Sequence, residues 1–157
     1  MKKGTWKVYA LWIAATEAVG ALAGFLTRDG VEIYQATAVK PALTPPPIVF
    51  PIVWSILYVL MGIGAARIYL APPSADRSRS LTLYVVQLAF NFLWSILFFG
   101  LHRYGLALIW LVILWVLILA MIRSFRKVDP AAAWLQIPYL LWVTFAAWLN
   151  FGVWRLN

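Results

Sequence analysis

The sequence contains no cysteine. That excludes disulfide bonds, a thiol nucleophile and thiolate metal sites. It contains a single histidine, His102, at an expected helix end. A histidine-based metal site or a Ser-His-Asp triad therefore lacks its parts. Charge is scarce too: only 11% of the 157 residues are Asp, Glu, Lys or Arg, and 5 of those are acidic. Low-complexity tracts, long linkers and any sign of a second domain are also missing.

What remains is apolar. Hydrophobic residues make up 64% of the chain, with 10 Trp and 9 Phe, and the mean hydropathy is +0.85. No soluble domain of this size needs so much apolar surface, so the composition indicates a polytopic membrane protein. The net charge of +8 looks at first like a nucleic-acid signal. The basic residues, however, sit in short loops between apolar runs, where they report topology. No nucleic-acid partner is expected; the lipid bilayer is.

Charged residues bound five apolar segments, giving one domain over 1–157 with helices expected at about 6–27, 47–70, 79–101, 104–125 and 130–154. Each can cross a hydrocarbon core of about 30 Å, which takes roughly 20 residues. The expected fold is an all-α integral membrane bundle of five transmembrane helices. Barrel strands would be about 10 residues long and alternating, which these are not. Lys2, Lys3 and Lys7 before an apolar run, with Ala21-Leu-Ala23 after it, imitate a signal peptide. The run is long for one and carries Glu17 in its middle, so it is read as a retained helix. Asp129-Pro130 reads as an N-cap followed by a first-turn proline, and Ser74 to Ser80 as a polar turn. Pro51 and Pro138 are expected as kinks inside helices two and five.

With five crossings, Lys2, Lys3, Lys7, Arg67, Arg77, Arg79, Arg123, Arg126 and Lys127 share one side, against Arg28, Lys40, Arg103 and Arg155 on the other. The positive-inside rule puts the N-terminus in the cytoplasm, the pattern of a bacterial inner-membrane protein; an outer-membrane position is the alternative. The longest connection, from Arg28 to Pro46, lies on the outer side and is a lid candidate, with Tyr34, Lys40, Pro41, Pro45 and Pro46 as its named residues.

Three helices carry stripes at helical spacing: Phe50, Trp54 and Tyr58 on the second; Gln87, Asn91, Trp94 and Phe98 on the third; Tyr139, Trp142, Ala146 and Leu149 or Asn150 on the fifth. Given the directions of these helices, all three stripes fall in the outer half of the membrane, beneath the long loop. A polar stripe on a greasy helix needs a partner inside the protein, because lipid offers none. Indole and phenol rings supply flat rigid faces, the Asn amides supply donor and acceptor together, and Ala146 leaves one wall open. With no carboxylate pair, nucleophilic lysine or metal ligand among them, these residues suit a flat, mostly apolar ligand held by stacking and a few hydrogen bonds. Plainer readings stand beside this one. Trp6, Trp12, Trp110 and Trp154 fit interfacial belts. Asn91 fits helix-to-helix glue, and Gly20-x-x-x-Gly24 fits a close helix seam, of a dimer for example. Glu17 is an intramembrane acid with no evident partner.

At these residues the chain resembles the TspO/MBR family of translocator and tryptophan-rich sensory proteins. The matching motifs are Lys40-Pro41 with Pro45-Pro46, then Phe50-Pro-Ile-Val-Trp54-x-x-Leu57-Tyr58, then Gln87-Leu88-x-x-Asn91-x-x-Trp94-Ser95 with Phe98-Phe99. They end with Pro138-Tyr139-x-x-Trp142-x-x-Phe145-Ala146 and Leu149-Asn150. The resemblance implies a five-helix bundle, commonly a homodimer, with a cavity under the first loop that binds porphyrins and synthetic benzodiazepine- or isoquinoline-type ligands. It implies ligand-pocket positions at Trp54, Tyr58, Asn91, Trp94, Trp142 and Ala146, and no required cofactor or metal. Two departures stand out. Leu43 occupies a lid position where the family usually has Trp, and Phe151 stands where the family's sterol motif has Tyr before Arg155. Sterol is therefore only a secondary ligand expectation.

Three functions follow as expectations. The first is a receptor or translocator that binds tetrapyrroles. The second is light-dependent porphyrin breakdown, for which the resemblance implicates Trp54 and Trp142. Its chemistry would come from the excited ligand, oxygen and nearby indoles, since no residue there is a conventional acid, base or nucleophile. The third is a small transporter, disfavoured by the lack of a visible inverted repeat.

Overall fold

The computed structural model describes residues 3–157; Lys2, one of the basic residues counted above, lies outside them. Among the described residues, five helical spans are long and apolar enough to cross a membrane. They are α1 (Thr5–Thr37), α2 (Val49–Leu70), α3 (Ala75–Ser95) with a π-turn at Ile96–Gly100, α4 (Tyr104–Val128), and a broken fifth span made of α5 (Pro130–Trp134) and α6 (Ile137–Leu156). The bundle is apolar outside, and its largely apolar interior also holds the buried amides. Gln87, Asn91, Gln136 and Asn150 are buried, while Leu22, Phe25, Ile109, Val116, Leu141 and Trp148 are exposed. That distribution suits a lipid surround, where only the chain can satisfy an amide.

The expected boundaries hold for α2 and α4 to within a few residues, but three readings change. First, α1 does not stop near 27; it continues to Thr37, past Arg28 and Asp29. One face carries Ala23, Thr27 and Tyr34 into the interior. Gly30 on that face lets the helix lie directly on the Phe99 carbonyl of the π-turn, where a Cβ would not fit. Tertiary packing thus carries the helix through its charged stretch. Just past its end, Lys40 Nζ donates to the carbonyls of Gln35 and Ala38, both at 3.3 Å, the favoured place for a cation. The α1–α2 connection is therefore only residues 38–48, and Tyr34 belongs to a helix, not to the lid loop.

Second, α3 starts at Ala75, so Ser74 to Ser80 is not a turn. The Ser74 hydroxyl caps the helix by accepting from the Arg77 amide at 3.0 Å, and Asp76 sits in the first turn. Third, neither proline kinks a continuous helix. Pro51 falls in the first turn of α2, where its missing N–H is no loss. Pro138 likewise falls in the first turn of α6, just past the break at residues 135–136 that separates it from α5. At the break the Gln136 amide bonds to Ala133, so the Ala132 carbonyl loses its usual helical partner. The Gln136 side chain replaces it: Nε2 donates to Ala132 at 3.3 Å and to Leu60 of α2 at 3.2 Å. Gly64 leaves room for that amide to reach α2.

α1 runs along α2, α3 along α4, and α4 along α6. α2 and α6 diverge and leave a surface groove lined by Val53, Leu57, Leu141, Trp142 and Phe145. At the end away from the α1–α2 connection, Arg67 pairs with Asp129 at 2.7 Å, and Asp129 also caps α5. At the other end, which we call the loop end, the Asn157 side chain clasps the Val39 backbone at 3.0 and 2.8 Å, and Pro41 packs on Gly152 of α6.

α1 also crosses α2 at backbone contact, where a Cβ at position 62 would meet the Ile13 Cα at 2.6 Å. Backbone cannot rotate aside. Gly62→Ala is expected to lower stability by about 1–3 kcal/mol through overpacking. Gly24→Ala, which meets nothing within 4 Å, should not. Thermal unfolding followed by circular dichroism in detergent checks the pair.

Candidate functional site

A cavity of about 520 Å³ lies in the loop-end half of the bundle, between α1, α2, the end of α3 and α6. Of the residues singled out from the sequence, Phe50, Trp54, Tyr58, Trp94, Phe98, Ala146 and Asn150 all line it. Neighbouring rings in its aromatic wall are inclined to one another by 29–34°. Trp54 stacks on Tyr58 at 5.6 Å and 29°, sits 6.5 Å and 34° from Trp94, and Trp94 in turn is 5.2 Å and 30° from Phe98. Such faces form one side of a slot, suited to a flat apolar guest.

The rings are held from behind. The Trp94 indole donates to Asn150 Oδ1 at 3.1 Å, and Asn150 Nδ2 donates to the Tyr104 carbonyl at 2.8 Å. Asn150 thereby orients Trp94 and fastens α6 to α3 and α4. Below the cavity floor runs a relay. The Tyr58 hydroxyl donates to Asn91 Oδ1 at 3.1 Å, Asn91 Nδ2 donates to the Tyr139 hydroxyl at 2.7 Å, and that hydroxyl donates to Gln87 Oε1 at 2.8 Å. Asn91, Tyr139 and Gln87 are all 2% exposed or less.

Two expected pocket residues do not face the cavity. Asn91 lies beneath it and positions Tyr58. Trp142 lies in the groove between α2 and α6, with Phe50 at 5.9 Å and Phe145 at 5.5 Å. Each i→i+4 step overshoots a full helical turn by roughly 40°. The stripe Trp142–Ala146–Asn150 therefore fans around α6, and its inner end leaves the cavity. Trp142 stands behind Phe50, one ring removed. Of the lid residues, Tyr34 lines the cavity from α1, its ring T-shaped against Phe98 and Phe99, both at 5.3 Å. Lys40, Pro41, Pro45 and Pro46 are not in the wall; Lys40 caps α1 with its ammonium 5.0 Å from the Tyr34 ring, and Pro47 is the loop residue that reaches the cavity.

The fourth wall was not anticipated. α1 contributes Glu17, Gly20, Ala23, Gly24 and Thr27. Their spacing of three and four residues is the stripe that could have pointed there, but small residues read equally well as a dimer seam. Gly20 is used within the chain instead: a Cβ there would overlap the Tyr58 ring. The cavity opens sideways between α1 and α2, where its lining residues Ala21, Gly24, Pro51 and Ser55 are exposed.

With this geometry the comparisons with known proteins agree. The TspO/MBR family profile matches residues 12–155. The chain belongs to the TspO/MBR family. The protein CrtK of Rhodobacter capsulatus is 39% identical over 151 residues, 96% of this chain and 92% of its own length. The tryptophan-rich sensory protein of Cereibacter sphaeroides is 37% identical over 152 residues, with 97% and 92% covered. The human translocator protein is 34% identical over 154 residues, with 96% and 90% covered. As a TspO/MBR member with five spanning helices, this is a multi-pass integral membrane protein.

The relay beneath the TspO/MBR cavity sets a stability test. Tyr139→Phe would strand Asn91 Nδ2 and Gln87 Oε1 in the core, at about 1–3 kcal/mol for an unsatisfied buried group. A clear loss of thermal stability in detergent, larger than for the exposed Tyr69→Phe, is expected.

Proposed function

We propose that this protein binds a flat, largely apolar tetrapyrrole such as protoporphyrin in the cavity between α1, α2 and α6, as a membrane receptor or carrier for it. The observation that carries this reading is the run of neighbouring rings Tyr58, Trp54, Trp94 and Phe98 lining a 520 Å³ cavity. Stacking on such a wall is how proteins hold flat π-systems, and the volume falls within the usual range for small-molecule sites. The names of the relatives, one a sensory protein and another a translocator, fit a role in sensing or moving a ligand.

Light-dependent breakdown of the bound porphyrin is the second reading. It is favoured by one observation: the Trp54 and Trp94 indoles both line the cavity, their rings 6.5 Å apart, a pair placed to give up an electron to an excited ligand. Trp142, lodged behind Phe50, has no direct path to the guest.

A protoporphyrin titration of the protein in nanodiscs, read by tryptophan quenching in the dark and then in light, tests both. Trp54→Leu is expected to weaken binding roughly tenfold, whereas Trp142→Leu should change it by less than about twofold. The opposite order would place the ligand in the outer groove. Protein-dependent bleaching in light that disappears in Trp54→Leu would favour breakdown over binding alone.

A further inference from the structure

Among the described residues, Glu17 is the one carboxylate that lines the cavity. Its depth follows from two α1–α2 contacts. Gly20 faces the Tyr58 ring and Gly62 faces Ile13, so Glu17 lies about level with residues 59 and 60. That is the middle of α2 (Val49–Leu70), hence the middle of the membrane. One of its oxygens, Oε1, is buried and has no hydrogen-bond partner. The ion pair present is elsewhere, between Arg67 and Asp129. Three polar groups that share the cavity wall are already engaged: the Tyr58 hydroxyl donates to Asn91, the Thr27 hydroxyl to the Ala23 carbonyl, and the Asn150 amide to Tyr104.

A carboxyl group at this depth is costly unless something gives it a donor. The surrounding side chains do not. A guest in the cavity is the remaining source. None of the other polar residues lining it, Gln35, Ser55, Ser95 and Asn150, is bonded to the buried oxygen, and the rest of the lining is mostly aromatic and aliphatic. We infer that Glu17 is a ligand-recognition residue, selecting flat apolar molecules that carry an N–H donor or a protonated amine on the edge that enters deepest. This rests on the reading of the cavity as a binding site. A charge-assisted hydrogen bond in a water-poor site is among the stronger polar contacts available. Aromatic stacking on Trp54 and Trp94 would set the plane of the guest, and Glu17 would set which edge points inward.

The test uses two probes of one shape, 1-pyrenylmethylammonium and 1-methylpyrene. Each is titrated against the full chain in nanodiscs of zwitterionic lipid, read by energy transfer from tryptophan and corrected with empty discs. The wild type is expected to prefer the ammonium probe by about tenfold. In Glu17→Gln and Glu17→Leu the preference should fall below about twofold, with the affinity for 1-methylpyrene unchanged. A preference that survives in both variants, or is missing in the wild type while protoporphyrin still binds saturably, overturns the role of Glu17 and leaves the cavity reading intact. Failure of protoporphyrin and both pyrenes to bind saturably overturns the two together.

Discussion

The relay from Tyr58 through Asn91 and Tyr139 to Gln87 is the constraint around which this bundle is built. Apolar helices in lipid gain little from burying apolar surface, since tails are as greasy as leucine. What tells α2, α3 and α6 which faces to turn inward is the cost of leaving hydroxyls and amides to the hydrocarbon. The relay joins those three helices at one level. Trp94–Asn150–Tyr104 joins α3, α6 and α4 nearer the loop end. The cavity lies above the first set and beside the second. Its aromatic wall is rigid because two of its rings, Tyr58 and Trp94, each hold a directional bond at their polar ends.

α1 is fixed by a different device. It makes its closest approaches where glycines remove side chains: Gly62 receives Ile13, Gly20 receives Tyr58, and Gly30 receives the Phe99 carbonyl. The first contact sits at the end of the α1–α2 pair away from the loop and the last beside the π-turn. Between them lie Ala23, Gly24 and Thr27, too small to fill the space. A helix pinned at both ends and trimmed in the middle leaves a void along its centre.

Residue chemistry explains how much of this could be read from the sequence. The spans were legible because charges interrupt long apolar runs, and the stripes on α2 and α3 because amides and indoles are conspicuous against leucine. Tyr58, Trp94 and Asn150 accordingly lie where helical spacing put them. Side-chain direction was less legible. Asn91 shares the stripe of Trp94, yet a stripe has depth as well as azimuth, and Asn91 is one level too deep to meet the cavity. Trp142 drifts off its stripe by helical overshoot. The α1 wall was hidden because an absence of side chains has no chemical signature: Gly20 and Gly24 are equally good for packing a helix and for making room. The continuation of α1 to Thr37 was hidden by Arg28 and Asp29, whose charges mark a membrane boundary but do not stop a helix that still has a face to pack.

The persistence of the void needs its own account. Proteins in lipid pack at high density, and an empty space forfeits dispersion contacts along its lining. Closing this one would require α1 to move toward α6. At the end away from the loop the Ile13–Gly62 crossing already stands at backbone contact. At the loop end, residues 38–48 are tied to α6 by Asn157 on Val39 and Pro41 on Gly152, and to α1 by Lys40 on its terminal carbonyls. A short, fastened connection holds α1 and α6 at a set distance, which a long floppy lid would not. The cavity is therefore a consequence of where the backbone contacts are placed, and a guest that fills it recovers contacts the protein cannot make with itself.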